Sequence, residues 1–303
     1  MLLGNSLTKD STLGIIAPSS SYDRTRTLSC INNFKQIGFN VKLGKHLFDK
    51  YSYLGSTNMN RAKDINDMFM DKKVDGIICL RGGYGSILTL PYINTNIIKQ
   101  NPKFFCGYSD ITVLLNYFSE LGIPTFHGPM ISSDFNDSLT SKSLFDIITF
   151  NKSFYTFDLN DINNLKLINC TKNFEGKIIG GNLSMICSTI GTPYELNFDN
   201  SILILEEINE PPYKFDRLLT QLISNNRINK CNGIIAGYLD KKSSKFYDLL
   251  NNILIQKIMP FNIPIILNFP FGHDYPNLTI PIGINAKYDY YNKKLIILDQ
   301  FLK

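Results

Sequence analysis

The stretch FFCGYSDITVLLNYF, Phe104–Phe118, runs apolar, breaks at Gly107, presents Ser109 and then takes on helical spacing. A short apolar run bounded by a glycine reads as a buried strand, and the segment after it reads as a helix. Ser109 therefore marks a strand-to-helix corner. It is either a helix cap or a nucleophile held on a tight turn. The stretch is not the Gly-x-Ser-x-Gly of the esterase elbow, because Ile111 stands where the second glycine would be.

Working outward, the same alternation recurs through the first half. LGIIAP (Leu13–Pro18) is a buried-strand signal. DRTRTLSCINNFKQIGF follows with Leu28, Ile31 and Phe34 at helical spacing and Gly38 as a stop. NVKLGK is a second strand, and NMNRAKDINDMFMD puts Ala62, Ile65, Met68 and Phe69 on one helical face. VDGIICLRGG is a strand ending in glycines. Strands alternating with helices predict a mainly parallel sheet flanked by helices.

From about residue 135 to 170 the chain is rich in Asn, Asp and Ser, with short apolar pieces. It reads as a connection carrying a helix and an edge hairpin. Strand signals resume at GKIIGGNLS, SILILEE, CNGIIAGY and IPIILNF. PPYKFDRLLTQLIS aligns Phe215, Leu218, Leu219 and Leu222 on one helical face. The expected organisation is an α/β N-terminal domain over 1–150, a linker over 151–172 and a more β-rich C-terminal domain over 173–303.

At 303 residues, 44% hydrophobic and 19% charged, the chain has a soluble globular composition. A net charge of +5 without a basic, aromatic-interleaved run argues against a nucleic-acid surface. No apolar run approaches the ~20 residues that span a bilayer, and the first residues lack a signal-peptide pattern. The six cysteines are scattered without a CxxC pair, which reads as free thiols in a cytoplasmic protein.

The chain has three histidines, His46, His127 and His273, and neither HExxH nor a Cys/His cluster, so no metal is expected. RGGYGS lacks the third glycine of a dinucleotide fingerprint, and there is no P-loop, so no cofactor is expected either. Three features carry chemistry: Ser109 at its corner, Glu206 and Glu207 at the end of SILILEE, and His273 in the loop PFGHDYPN. Alternation lets only one of the two glutamates face the side of Ile202 and Ile204. A serine needs a base to take its proton, histidine suits neutral pH, and a carboxylate holds the imidazole in place. The Asp110 amide and the RGGYG loop offer oxyanion donors.

As a set, NRAKDINDMFMDKKVDGIICLRGGYGS, GYSDIT, HGPM, GKIIGGNLSMICSTIGTPYE, LILEEINEPPYKFDR and GHDYPNLTIPIG resemble the LD-carboxypeptidase family of serine peptidases, from Gly14 to about Gly283. The resemblance implies two domains with the site at a cleft between them. It implies Ser109 as nucleophile, His273 as general base and Glu206 as orienting carboxylate, with Glu207 where the family commonly has aspartate. It points to the backbone amides of Asp110 and of one of Arg81, Gly82 and Gly83, with Gly83 first, as the oxyanion hole. Arg81, Asn182 and Arg217 are candidates for the substrate carboxylate, and Tyr84 and Tyr108 for shaping the pocket. His127 in HGPM matches a family motif that reads as structural. The implied reaction releases D-alanine from the tetrapeptide stem of a muropeptide in cytoplasmic cell-wall recycling, by a homodimer. The alternatives are a microcin-type peptidyl-nucleotide hydrolase and a non-catalytic muropeptide-binding protein.

Overall fold

The apolar tetrads become strands buried on both faces, as strands of helix-covered parallel sheets are. A computed structural model describes residues 1–150, 154–240 and 243–303. Its chain runs β1 (Thr12–Ile16), α1 (Arg24–Lys35), β2 (Asn40–Leu43), α2 (Asn58–Met70), β3 (Gly76–Cys79), α3 (Thr95–Gln100), β4 (Phe104–Gly107), α4 (Thr112–Glu120), β5 (Thr125–His127) and α5 (Ser138–Ile148). It continues through β6 (Tyr155–Asp158), β7 (Lys166–Ile168), β8 (Phe174–Asn182), α6 (Leu183–Ser188), β9 (Ser201–Glu207), α7 (Pro212–Ser224), β10 (Cys231–Leu239), α8 (Ser244–Ile258) and β11 (Ile265–Leu267). It ends with β12 (Ile280–Ile282), β13 (Asn285–Asp289) and β14 (Lys294–Ile297).

Two compact units form, one of Met1–Asn151, Leu278–Gly283 and Phe301–Lys303, the other of Lys152–Asn277 and Ile284–Gln300. Among the described residues, the first unit holds a six-stranded sheet in the order β12-β5-β4-β3-β1-β2. Its pairs are parallel except β12, which runs antiparallel to β5 with Ile280 opposite His127. Helix starts follow local chemistry: Asp23 accepts from the Arg26 amide at 2.9 Å to cap α1, and Thr57 caps α2 through the Asn60 amide at 3.2 Å. Ala62, Ile65, Met68 and Phe69 are buried as expected. On α1 the inward face is Thr27, Ile31 and Phe34, whereas Leu28 is 38% exposed. The Thr27 hydroxyl donates back to the Asp23 carbonyl at 2.9 Å, so a polar residue can take the buried position.

The second unit holds an eight-stranded sheet, β6-β14-β13-β8-β9-β10-β11-β7, among the described residues. Four central strands, β8 to β11, are parallel, and antiparallel strands flank them on both sides. Phe215, Leu219 and Leu222 of α7 enter the core, with Leu218 packed against it. The stretch read as a connection contains α5 as expected, but its two strands make no hairpin. β6 pairs with β14 and β7 with β11, at opposite edges. Their partners lie about 140 and about 100 residues further along, where local pattern gives no information about pairing. The first residues of the expected linker, 151–153, lie outside the described residues. The six cysteines are unpaired thiols, five of them buried.

Candidate active site

In the first unit, β4 delivers the chain to Gly107, Tyr108 stays extended, and Ser109 turns with φ of 64°. A non-glycine residue in the left-handed region stores about 1–3 kcal/mol of strain, which persists where surroundings impose it. A 3₁₀ turn, Ser109–Ile111, then leads into α4. The cap positions of these two elements are Tyr108 and Ile111, neither with a side-chain cap, so Ser109 is not the helix cap. A Cβ at Gly107 would fall 2.9 Å from Ile111 Cγ2. Ile111 thus fills the room that Gly107 leaves, which explains how the corner closes without a second glycine.

The loop after β3 lies against this corner. A Cβ at Gly82 would fall 2.8 Å from Ser109 Cβ and 2.9 Å from its Oγ, so the Gly82 backbone packs directly on the serine side chain. Gly83 (φ 123°) instead faces Ser20, whose Oγ accepts from the Tyr84 amide at 3.4 Å. The Arg81 guanidinium lies 4.2 Å over the Tyr22 ring, which Arg26 also contacts at 4.0 Å. Tyr84 is exposed, with its ring 6.0 Å from that of Tyr53. His127 is fully buried on β5, opposite Gly107, and its ring lies 5.9 Å from that of Tyr108.

In the second unit, β9 ends in the two glutamates, and alternation sends them to opposite faces. Glu206, fully buried, accepts from His273 Nδ1 at 2.6 Å. Burial pulls the His273 imidazolium down, but the Glu206 charge and hydrogen bond, with Glu207 and Asp240 behind them, push it above its ordinary value overall. Gly272 (φ 113°) permits this approach, because a Cβ there would lie 3.0 Å from Glu206 Cβ and 3.1 Å from Oε2.

Glu207 does different work. It accepts from Asn182 Nδ2 at 3.0 Å, the Ser184 amide at 2.8 Å, Ser184 Oγ at 2.6 Å and the Ile208 amide at 2.9 Å. Burial, then the neighbouring Glu206 charge, raises its carboxyl above the ordinary range. Asn182 Oδ1 accepts from the Met185 amide and caps α6, so its amide ties β9 to α6. Arg217 is exposed on α7, its guanidinium 5.6 Å over Tyr213. Ser109, Asp110, Gly83, Arg81 and Tyr84 thus belong to the first unit, and Glu206, His273, Asn182 and Arg217 to the second. Among the described residues, no group of three or more His, Cys, Asp or Glu could hold a metal ion.

The chain as a whole is similar to known proteins. Residues 13–128 match the LD-carboxypeptidase N-terminal domain and residues 175–288 the LD-carboxypeptidase C-terminal domain. The chain is 33% identical to a probable murein peptide carboxypeptidase of Bacillus subtilis over 300 residues, covering 96% of this chain and 92% of that protein. It is 27% identical to the murein tetrapeptide carboxypeptidase of Pseudomonas aeruginosa over 285 residues, covering 91% and 92%. Its fold is similar to that of the microcin C7 self-immunity protein MccF, a protein of Escherichia coli, with a TM-score of 0.89 at 27% identity over the whole of both chains. With both domain types matched in order and a relative above 30% identity spanning nearly its whole length, the chain belongs to the LD-carboxypeptidase family.

Proposed function

We propose that this protein is a serine L,D-carboxypeptidase that releases the terminal D-alanine of a murein tetrapeptide. The observation that carries the reading is the 2.6 Å bond between His273 Nδ1 and Glu206 Oε2, in a chain whose left-handed Ser109 stands on a strand-to-helix corner. Ser109 Oγ attacks the carbonyl of the L,D-peptide bond while His273 Nε2 takes its proton. Glu206 keeps the proton of Nδ1 in place and stabilises the imidazolium. The Asp110 and Gly83 amides receive the oxyanion. The C–N bond then breaks, His273 returns the proton to the departing D-alanine nitrogen, and water hydrolyses the acyl-serine by the reverse sequence.

Arg81, held over Tyr22, supplies the cation for the substrate's free carboxylate, and Tyr84 and Arg217 line its approach. Asn182 serves this site by tying β9 to α6. Six unpaired thiols fit a reducing compartment, in line with a cytoplasmic enzyme of cell-wall recycling that works as a homodimer. No helix among the described residues is long and apolar enough to cross a membrane.

The test is D-alanine release from an L,D-tetrapeptide, with a peptidyl-adenylate offered in parallel. The expected result is release from the tetrapeptide and a fall of about 10⁴–10⁶ in kcat for Ser109→Ala. Turnover of the adenylate alone would favour the immunity-type hydrolase. Binding of tetrapeptide without release would favour a non-catalytic muropeptide-binding protein.

A further inference from the structure

The carboxylate of Asp110, the residue after the serine, is 1% exposed and gathers donors from two loops. Its Oδ2 accepts from the Ser86 amide at 2.8 Å and from the Ser19 hydroxyl, and Oδ1 accepts from the Gly85 amide at 3.3 Å. The Ser86 hydroxyl donates to the Asp110 carbonyl. Arg61, 2% exposed on α2, approaches the same loop from the other end. Its Nη1 donates to the Gly85 carbonyl at 2.7 Å and to the Pro18 carbonyl, Nε to the Ser56 carbonyl at 3.2 Å, and Nη2 to Asn58 Oδ1 at 2.7 Å. The peptide joining Gly85 to Ser86 is therefore held at both ends, its C=O by Arg61 and its N–H by Asp110.

We propose that Asp110 and Arg61 form a buried brace that fixes the Gly82–Ser86 loop against Ser109, making both of them positioning residues for the oxyanion donors. The inference rests on the reading of Ser109 as nucleophile. Gly82 already packs on the serine side chain, so any drift of this loop moves backbone amides relative to Oγ. Gly85 leaves room for the brace: a Cβ there would fall 3.1 Å from Arg61 Nη1 and 3.2 Å from Nη2.

Stability alone explains the pair poorly. Taking two charges out of water is costly, and well-packed apolar residues of similar volume often serve folding as well or better. An oxyanion site has a different requirement. Its donors must be fixed before charge develops, and a carboxylate attached to one donor residue would oppose that charge unless neutralised. The three donors on Asp110 and the nearby Arg61 guanidinium supply the neutralisation. Burial lowers Arg61 from its ordinary value and the Asp110 charge acts against that shift, although the Arg61 donors themselves go to the Gly85, Pro18 and Ser56 carbonyls and to Asn58.

The test is tetrapeptide turnover by Asp110→Asn, with Ser19→Ala as a milder variant and Ser109→Ala as reference. Asn keeps size and main chain but turns an NH₂ toward one of the donors. The expected result for Asp110→Asn is a kcat lower by about 10²-fold with KM within about threefold. Labelling of Ser109 by a fluorophosphonate should slow in step with kcat/KM. Ser19→Ala removes one donor, and the expected loss in kcat is about tenfold. If Asp110→Asn does not fold, Ser19→Ala carries the test by itself. Unchanged kcat in the variants that fold, or KM rising as much as kcat falls, would overturn the brace provided Ser109→Ala is inactive. Full activity in Ser109→Ala would overturn the nucleophile reading, and this inference with it.

Discussion

The serine corner of the first unit and the glutamate–histidine pair of the second are built from different materials. The corner is a backbone device: a left-handed serine, a glycine packed on its side chain and a loop held by its peptide groups. The pair is a side-chain device, one carboxylate and one imidazole 2.6 Å apart at the end of a buried strand. Errors at the corner displace hydrogen-bond donors, whereas errors in the pair change proton affinity. The two regions should therefore fail in distinguishable ways.

Short of replacing Ser109, the proposed nucleophile, the largest expected effect comes from Glu206→Gln. A neutral amide cannot stabilise the imidazolium and can turn its NH₂ toward Nδ1, which leaves the wrong tautomer, and loss of that duty costs about 10⁴-fold in kcat. In the proposed mechanism His273 must be neutral to accept the serine proton. Its upward shift places the acid limb of kcat/KM above the ordinary histidine value of 6.5, and Glu206 is the main source of that shift. The limb should move to lower pH in the variant. A limb that stays put in a pH–rate profile would remove Glu206 as the partner of the catalytic base. Glu207→Gln, whose direct partners are Asn182, Ser184 and Ile208, should move the limb in the same direction but by less, because Glu207 is a secondary source of the His273 shift.

Two glycine substitutions sharpen the contrast at a smaller scale. At Gly82 an added methyl meets Ser109 Cβ and Oγ at 2.8 and 2.9 Å. Gly82→Ala should lower kcat by about 10²-fold through misplacement of the proposed nucleophile while costing only about 1 kcal/mol of stability through the clash, since Gly82 lacks the left-handed φ of its neighbour Gly83. At Gly272 the φ of 113° and the 3.0 Å approach to Glu206 Cβ act together. Gly272→Ala should therefore lose about 1–2 kcal/mol of stability along with activity. Thermal melting beside steady-state kinetics checks both. If both variants lose activity and stability in the same proportion, the distinction between corner and pair falls.

This division also explains what was legible in the sequence. The alternating strands and helices, the α/β class and the α2 face at Ala62, Ile65, Met68 and Phe69 followed from local periodicity. That a glutamate of SILILEE would serve His273 could be reasoned from residue types, whereas the choice of Glu206 over Glu207 came from the family resemblance. The corner was only half legible. Nothing in GYSDI states that Ser109 adopts a positive φ or that Ile111 occupies the space beside Gly107. The Asp110 carboxylate was hidden behind its own amide, since its partners Ser19 and Ser86 come from loops 91 and 24 residues away. The pairing of the edge strands β6 and β7 was illegible for the same reason, as their partners are set by the assembled sheet.

The smallest effects are in the pH dependence of stability, where the two units should run in opposite directions. In the first unit Lys103, 7% exposed, donates to the Met68 carbonyl at 2.9 Å and to that of Asp71, at the C-terminal end of α2. Burial lowers its pKa from 10.5 to about 8. Between these values the unfolded chain binds more protons than the folded one, so this group's contribution grows more favourable as pH rises through the window. For His273 the folded value is raised, so its contribution is complete below 6.5 and is lost as pH climbs through the folded value. Each group can impose a slope of at most about 1.4 kcal/mol per pH unit. Urea midpoints provide the measurement. The gap between wild type and Lys103→Met should shift in favour of wild type from pH 8 to pH 10, and the gap for His273→Gln should shrink above pH 6.5. Slopes of the same sign in the two series would mean that the proton affinity of one of these buried bases is set by something other than the burial of Lys103 or the glutamate facing His273.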